Sequence, residues 1–193
     1  DAIVVVGPNG GIKFKTDAVE RVLGYSLKEM VGGALFDRIH PDDRNSVLGI
    51  FNAVVNDANV MGSGLVRLRA KDGSWRWIEA TGRNLLADPQ VGGIVINCRD
   101  VSEQKQAGIL QDAVYRIAQA ADLAVSLEDL FPRIHAIISE VMPAGNFYIA
   151  LSGHSEGFLT FPYFVDEADQ PPMGEQAENG LTEYVLRTGK SLL

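Results

Sequence analysis

The chain has 193 residues, of which 46% are hydrophobic, and a formal net charge of -8 from 25 acidic and 17 basic side chains. This composition is that of a soluble globular protein with one or two domains, and its acidic balance argues against a surface for nucleic acid or an anionic membrane. No apolar run approaches the roughly 20 residues that a membrane-spanning helix needs.

The first hundred residues predict an α+β domain in which strands, short helices and further strands follow one another. Residues 1–6 and 12–15 flank a turn rich in glycine and are predicted to form a β-hairpin. Helix signals come next: Ser26 and Glu29 have the spacing of a capping box, and Pro41 stands at the first turn of an amphipathic helix.

From Gly64 onward the hydrophobic period changes to the alternation of β-strands. Strands are predicted at residues 64–70, 75–80 and 93–99, and the first two are joined by a hairpin turn at residues 71–74. Alternation places one set of side chains on a shared apolar inner face, namely Val66, Leu68, Ile78, Ala80, Ile94, Ile96 and Cys98.

After Asp100 the pattern is helical again, with Asp100 as the expected N-cap and Glu103 at the third helical position. Apolar residues then recur at spacings of three and four, as in a coiled-coil seam. The seam consists of Ala107, Leu110, Val114, Ile117, Ala121 and Ala124. An ordinary amphipathic helix explains the same pattern, because the repeat covers fewer than three or four heptads.

The remainder of the chain predicts a mixture of helices and strands. A second helix begins after Ser126 and reaches about Met142, and strands follow at residues 147–151 and 158–165. Residues 170–179 are predicted to form a loop and residues 181–187 a helix.

Residues 1–104 resemble a PAS domain. The resemblance rests on motifs that follow one another in the family's order, at residues 1–6, 23–26, 40–43, 71–74 and 100–103. It implies an antiparallel five-stranded sheet with short flanking helices, and a connecting signalling helix at residues 105–125.

Residues from about 110 onward resemble the first half of a GAF domain, through residues 146–151, 161–167 and 180–189. This implies an incomplete, GAF-like α/β segment at residues 126–193. Because the chain starts at Asp1 and stops at Leu193 in a helix-like stretch, we expect it to be a segment of a longer protein. PAS–GAF tandems of this kind resemble the input ends of bacterial sensor histidine kinases and diguanylate cyclases.

The PAS resemblance implies a pocket between the sheet and the helices that cross it. Its expected lining is apolar and comprises Phe51, Val66, Leu68, Ile78, Ala80, Ile94, Ile96 and Cys98. Flavin is disfavoured, because Leu68 and Ile78 replace the family's flavin-binding amides and residues 32–39 lack its cysteine. Haem is disfavoured because residues 46–57 contain no histidine. A small apolar ligand and a close-packed, ligand-free core both remain open.

The PAS resemblance also implies a signal-coupling junction at the end of the sheet. Asp100, Ser102 and Glu103 join the last strand to the helix, and an ion pair is expected from Asp100 to Arg67 or Arg69. An ordinary helix cap at Asp100 explains the same motif without signalling.

No catalytic motif and no metal-ligand spacing occurs in the sequence, so we expect no enzymatic activity from this segment. The single cysteine, Cys98, excludes an internal disulfide and a multi-thiolate zinc site, which favours a reducing, cytoplasmic location. The expected partner is a second copy of the chain, bound through the connecting helix. Two alternatives stay open: a structural PAS dimer without ligand, and a kinase fragment with His135 as phosphoacceptor.

The predicted end of the chain inside the GAF-like sheet has one further consequence. A strand at residues 158–165 would be left with an unpaired edge, and Phe161 and Tyr163 would be uncovered. We expect such a surface to favour dimerisation or mobility of the second half.

Overall fold

The computed structural model describes residues 1–31, 33, 35–152, 159–168 and 180–191. The chain divides into two compact units, Asp1–Ala107 and Gly108–Leu193. This division lies near the predicted end of the first domain at residue 104, while the predicted three-part domain assignment stays a prediction.

The first unit is an α+β unit. Its strands are β1 (Ala2–Val6), β2 (Ile12–Lys15), β3 (Met61–Arg69), β4 (Trp75–Leu85) and β5 (Gly93–Asp100). Its helices are α1 (Asp17–Leu23), α2 (Leu27–Met30) and α3 (Arg44–Asn56), with short 3-10 helices at Leu35–Arg38 and Pro41–Asp43. Helix α4 (Ser102–Leu123) begins in this unit.

The five strands form one antiparallel sheet in the order β2-β1-β5-β4-β3. The predicted α+β class and five-stranded antiparallel sheet are therefore confirmed. Strands β3 and β4 are longer than predicted, because Gly62 and Gly82 stand at inward positions and give no apolar signal there. The inner face of the sheet packs against α1 and α3 around one buried apolar cluster.

Both ends of α3 are attached to the sheet. At its start, the Asp43 carboxylate accepts hydrogen bonds from Arg67 of β3 at 2.7, 2.9 and 3.0 Å. At its end, the side-chain amide of Asn84 on β4 donates to the carbonyl oxygens of Val54 and Val55 at 2.8 and 3.0 Å. These bonds satisfy carbonyl groups that the last helical turn leaves without a partner.

The start of α4 differs slightly from the prediction. Asp100 is the last residue of β5, where it pairs with Ile78, and the helix begins at Ser102. Asp100 therefore precedes the capping position, although its carboxylate still accepts the Ser102 N–H at 2.9 Å. Glu103 stands in the first turn of the helix, where a carboxylate is favourable.

The second unit contains the rest of α4, together with α5 (Leu127–Val141), β6 (Phe147–Ser152), β7 (Leu159–Val165) and α6 (Leu181–Thr188). The Ser126 hydroxyl caps α5 by accepting the Asp129 N–H, as the sequence predicts. Helices α4 and α5 bury Ala113, Ala120 and Ile137 against each other. Most of the predicted seam on α4 lies beside this contact and is exposed.

Strands β6 and β7 form an antiparallel pair, as predicted. Phe161 and Tyr163 on β7 are half-buried, and Tyr163 contacts Phe131 and His135 of α5, so the expectation of uncovered rings is wrong for these two. Phe158, His154 and the predicted loop at residues 170–179 lie outside the described residues. In the part of the chain that the structure describes, no helix has the length and apolar character to cross a membrane.

Candidate functional site

A cavity of about 270 Å³ lies within the first unit, between the inner face of the sheet and helices α1 and α3. All the residues predicted to line a pocket line this cavity, namely Phe51, Val66, Leu68, Ile78, Ala80, Ile94, Ile96 and Cys98. Their role in holding a ligand stays a prediction. Phe51 lies on α3, and the alternation of β3, β4 and β5 brings the other seven residues to one face of the sheet.

Small residues make room for the cavity. In one row across the sheet Ala2, Cys98, Ala80 and Gly64 are paired strand to strand, and in the next row Gly82 is paired with Gly62. A methyl group on Gly62 would lie 2.7 Å from Val54 and 2.8 Å from Ile50, which real side chains do not tolerate. The cavity therefore exists because these positions carry small side chains or none. A pattern of alternating hydrophobic residues does not reveal such positions.

The lining determines which ligands the cavity suits. None of the described residues that line it is Arg, Lys or His. Its polar members are Asp42, Asp43, Ser46, Ser63 and Asp100. A buried anion without a partner costs several kcal/mol (roughly 2–7 for even a neutral polar group), so the cavity favours a neutral, apolar ligand.

Cys98 contributes a thiol to this lining, opposite Ala80 in the sheet. Burial raises the pKa of the thiol to about 11. The thiolate is the nucleophilic form, so this environment suppresses the reactivity of Cys98. Its role here is that of a small apolar side chain.

The predicted ion pair of Asp100 with Arg67 or Arg69 is wrong in its acidic partner. Arg67 pairs with Asp43, and its guanidinium also reaches Asp42 at 3.4 Å, while no ion pair joins Asp100 to either arginine among the described residues. The hydrogen bond from Arg67 holds the pKa of Asp43 below its usual value. Arg69 is exposed near the hairpin end of β3.

The junction between β5 and α4 is held by hydrogen bonds to Trp77 on β4. The Trp77 N–H donates to the Ser102 hydroxyl and the Val101 N–H donates to the Trp77 carbonyl, each at 2.9 Å. Lys105 in the first turns of α4 lies 5.9 Å from the centre of the Trp77 ring. Sequence reasoning identified Ser102 but missed Trp77 and Lys105, because their roles depend on contacts between distant segments.

His135 is engaged at both ring nitrogens. Nε2 is 2.7 Å from the carbonyl oxygen of Ala144 and Nδ1 is 2.9 Å from the Tyr163 hydroxyl. The ring also stacks on Phe147 at 4.7 Å. A carbonyl only accepts, so Nε2 carries a proton and donates to Ala144. Among the described residues no cluster of His, Cys, Asp or Glu could hold a metal ion.

Comparison with known proteins identifies the first unit. Residues 12–95 match the model of the PAS fold. The first unit carries a PAS domain. The PAS domain is a sensory and signalling module, which agrees with the function that the sequence predicts at this coarse level.

Two relatives match part of the chain. White collar 2 protein of Neurospora crassa is 38% identical over 86 residues, which is 43% of this chain and 16% of that protein. The aryl hydrocarbon receptor nuclear translocator homolog of Drosophila melanogaster is 31% identical over 70 residues, 36% of this chain and 11% of that protein. The chain thus spans less than a fifth of the length of either relative.

Among solved structures, the PAS domain of a protein from Colwellia psychrerythraea is similar, with 27% identity and a TM-score of 0.47. The match covers 53% of this chain and 86% of that structure. The resemblance of residues 126–193 to a GAF domain stays a prediction.

Proposed function

We propose that this chain is the sensory input and relay module of a multidomain signalling protein, which binds a small neutral ligand in the PAS cavity and passes the bound state to α4. The observation that carries the proposal is the apolar cavity of about 270 Å³, whose strand β5 leads after one residue into that helix. A change in the sheet at Cys98 or Asp100 is therefore a change at the start of α4.

The size of the cavity sets the size of the ligand. A dry cavity of about 150 Å³ holds benzene, so one of about 270 Å³ suits a body of about two fused rings. Naphthalene is therefore a suitable neutral probe, and 1-naphthoate is its anionic counterpart of nearly the same shape.

The binding test uses the methyl NMR signals of Ile94 and Ile96, which line the cavity. We expect naphthalene to shift these signals in the natural chain. It should have no effect in Gly82→Leu, whose added side chain fills part of the cavity. Thr81→Val, a neighbouring substitution outside the lining, should leave binding intact. Since the cavity offers no cation, 1-naphthoate should bind at least about tenfold more weakly.

Native mass spectrometry of the purified chain completes this test. A retained small molecule, or a naphthalene shift that Gly82→Leu abolishes, supports the ligand-binding proposal. If no small molecule is retained and naphthalene causes no shift, the alternative of a structural PAS dimer with a ligand-free core is favoured.

We further propose that the module is a homodimer joined through α4. The predicted seam faces outward on this helix, with Leu110 exposed to 44% and Val114 to 67%. Ile117, which belongs to the same seam, packs in the α4–α5 contact. Apolar side chains at heptad spacing are the pattern through which two helices associate.

The parent protein we propose is a sensor histidine kinase or a diguanylate cyclase, and residues 126–193 are the first half of a GAF domain. The support is the resemblance of the motifs at residues 146–151, 161–167 and 180–189. The antiparallel pair β6–β7 is compatible with it. The sequence of the parent protein after Leu193 tests this part: a completed GAF sheet is expected, and any other continuation would overturn it.

The proposal assigns no catalytic step to this segment. The alternative, a kinase fragment with His135 as phosphoacceptor, is disfavoured because both ring nitrogens already have partners. Incubating the chain with a histidine kinase core and ATP tests the point. Phosphate on His135 would overturn the non-enzymatic proposal, and an unlabelled chain would support it.

A further inference from the structure

The carboxylate of Asp43 stands where the cavity, α3 and the sheet meet. It lines the cavity and directly precedes α3. It accepts the Arg67 N–H at 2.9 Å and the guanidinium Nε and Nη2 at 3.0 and 2.7 Å. Its side chain is only 17% exposed, and bonds of this kind are among the stronger and more directional ones in proteins. A displacement of the start of α3 is therefore a displacement of Arg67.

Arg67 in turn lies against Trp77. The two residues are paired directly across β3 and β4, and the guanidinium carbon is 5.1 Å from the centre of the Trp77 ring. Lys105 of α4 places its ammonium group 5.9 Å from the centre of the same ring. Two cations thus share one aromatic ring. Arg67 is neutralised by nearby carboxylates, whereas Lys105 forms no ion pair with any residue that the structure describes.

Trp77 also anchors the first residues of the output helix through its backbone. It accepts the Val101 N–H and donates its own N–H to the Ser102 hydroxyl, each at 2.9 Å. The ring and the backbone of one residue therefore hold the start of α4. Asp100, by contrast, has its bond to Ser102 within the junction itself.

We infer that Asp43, Arg67 and Trp77 form the path by which the state of the cavity reaches α4. This inference rests on the proposed sensory function of the cavity. When Asp43 holds Arg67, the positive charge over Trp77 is compensated and Lys105 can lie against the same ring. When Asp43 moves away, Arg67 keeps only the longer contact to Asp42 at 3.4 Å, and its less compensated guanidinium repels Lys105 and loosens the first turn of α4. Arg67 is a positioning residue in this path, since it does not itself line the cavity.

Amide hydrogen exchange of the full chain tests the inference without any ligand. The reporters are the N–H groups of Val101 and Lys105, bonded to Trp77 and to Val101 respectively. We expect Asp43→Asn to accelerate both by about tenfold, the effect of losing part of one charge-assisted hydrogen bond. Asp42→Asn is the matched control, because it also removes one negative charge, at the neighbouring position. The Asp42 side chain is exposed and reaches Arg67 only at 3.4 Å.

A double substitution separates a path from general destabilisation. In an Arg67→Met background the guanidinium charge is absent, so Asp43→Asn should no longer change exchange at Val101 and Lys105. If Asp43→Asn fails to fold, Arg67→Lys, which keeps the charge but loses the two-pronged bond, takes its place against the same control. Trp77→Phe keeps a ring under both cations and should retain most of the protection.

The possible results divide cleanly. Exchange that accelerates more at the start of α4 than in β1 and β5, with this extra acceleration absent in the Arg67→Met background, supports the path. Acceleration at the start of α4 that is no greater than in β1 and β5, or equal effects of Asp43→Asn and Asp42→Asn, overturns it. Because no ligand enters this experiment, either result is independent of whether naphthalene binds, so failure of the path and failure of the proposed function can be told apart.

Discussion

Cys98 is the only cysteine of the chain, which makes its thiol a direct reporter of the cavity. With its pKa raised to about 11, the thiolate is scarce at neutral pH. We expect the folded chain to react with a disulfide reagent such as DTNB about 100-fold more slowly than the urea-unfolded chain, whose thiol has an ordinary pKa. Absorbance of the released thiolate measures both rates, and rapid complete labelling of the folded chain would contradict the buried placement of Cys98.

Asp43 should make the stability of the PAS domain depend on pH. Its pKa is lowered in the folded chain by the hydrogen bond from Arg67. A group of this kind stabilises the fold above its unfolded pKa of about 3.9, and the contribution is lost as pH falls through the lower, folded value. At pH 7 we expect Asp43→Asn to lower the free energy of unfolding by about 1.5–3 kcal/mol.

Urea unfolding at pH 7 and at pH 3 checks this sign. The advantage of the natural chain over Asp43→Asn should shrink at pH 3, because this pH lies below the unfolded pKa of about 3.9 and proton uptake then favours the unfolded chain. An advantage that grows on acidification would show that the Arg67 pair does not depress the Asp43 pKa.

At the scale of single residues the sequence predicts which side chains face inward but not which partners they meet. Alternation placed Val66, Leu68 and Ile78 correctly, because a strand has a fixed period. The partner of Arg67 is 24 positions earlier in the chain, and only the fold decides between Asp43 and Asp100. Local motifs contain no information on that choice.

Among the elements, β3 and β4 offer a matched pair of glycines that face each other, Gly62 and Gly82. A methyl group on Gly82 would meet Ile94 and Ile96 at 3.9 Å, which is ordinary contact, whereas one on Gly62 would overlap Val54 and Ile50. We expect Gly82→Ala to raise the free energy of unfolding by about 0.4–1 kcal/mol and Gly62→Ala to lower it by about 1–3 kcal/mol. Urea unfolding measures the free energy of unfolding of both variants. Equal effects would contradict the different packing described around Gly62 and Gly82.

The elements themselves follow from local chemistry to a large extent. Half of the capping box at Ser26 is formed: the Glu29 carboxylate accepts the Ser26 N–H at 2.9 Å, but the Ser26 hydroxyl donates to the same carboxylate at 2.8 Å, and the Glu29 N–H donates to the Ser26 carbonyl oxygen. The extension of β4 through Gly82 to Leu85 was not predictable, because these residues lack an apolar alternation and are held by pairing with β5. The cavity was predictable in its lining but not in its volume, which depends on the glycines.

For the molecule as a whole, the proposed dimer through α4 yields a prediction. Val114→Glu places a charge in the seam of both copies and should raise the dissociation constant of the dimer by at least about tenfold. Tyr115→Glu is the matched control, since Tyr115 is also apolar and exposed, at 61%, but points away from the seam. Sedimentation velocity over a range of concentrations measures both. A natural chain that is monomeric throughout, or equal weakening by the two substitutions, would contradict dimerisation through this seam.

The PAS resemblance of the first unit is supported by more observations than the GAF resemblance of the second. The first has a run of motifs, a five-stranded sheet and a family match over residues 12–95. The second has short motifs and one strand pair among its described residues. A partial sheet carries few of the long-range pairings that distinguish one α/β family from another, so sequence motifs alone bear the assignment there.

The amide of Asn84 secures the end of α3 that lies opposite Asp43. Two carbonyl groups are held there by one side chain, and Asp43 holds the other end of this 13-residue helix to β3, about 20 Å away. A ligand that pushes the helix outward is therefore resisted at two defined points of the sheet. Of these two attachments, only the one at Asp43 continues through Arg67 to Trp77.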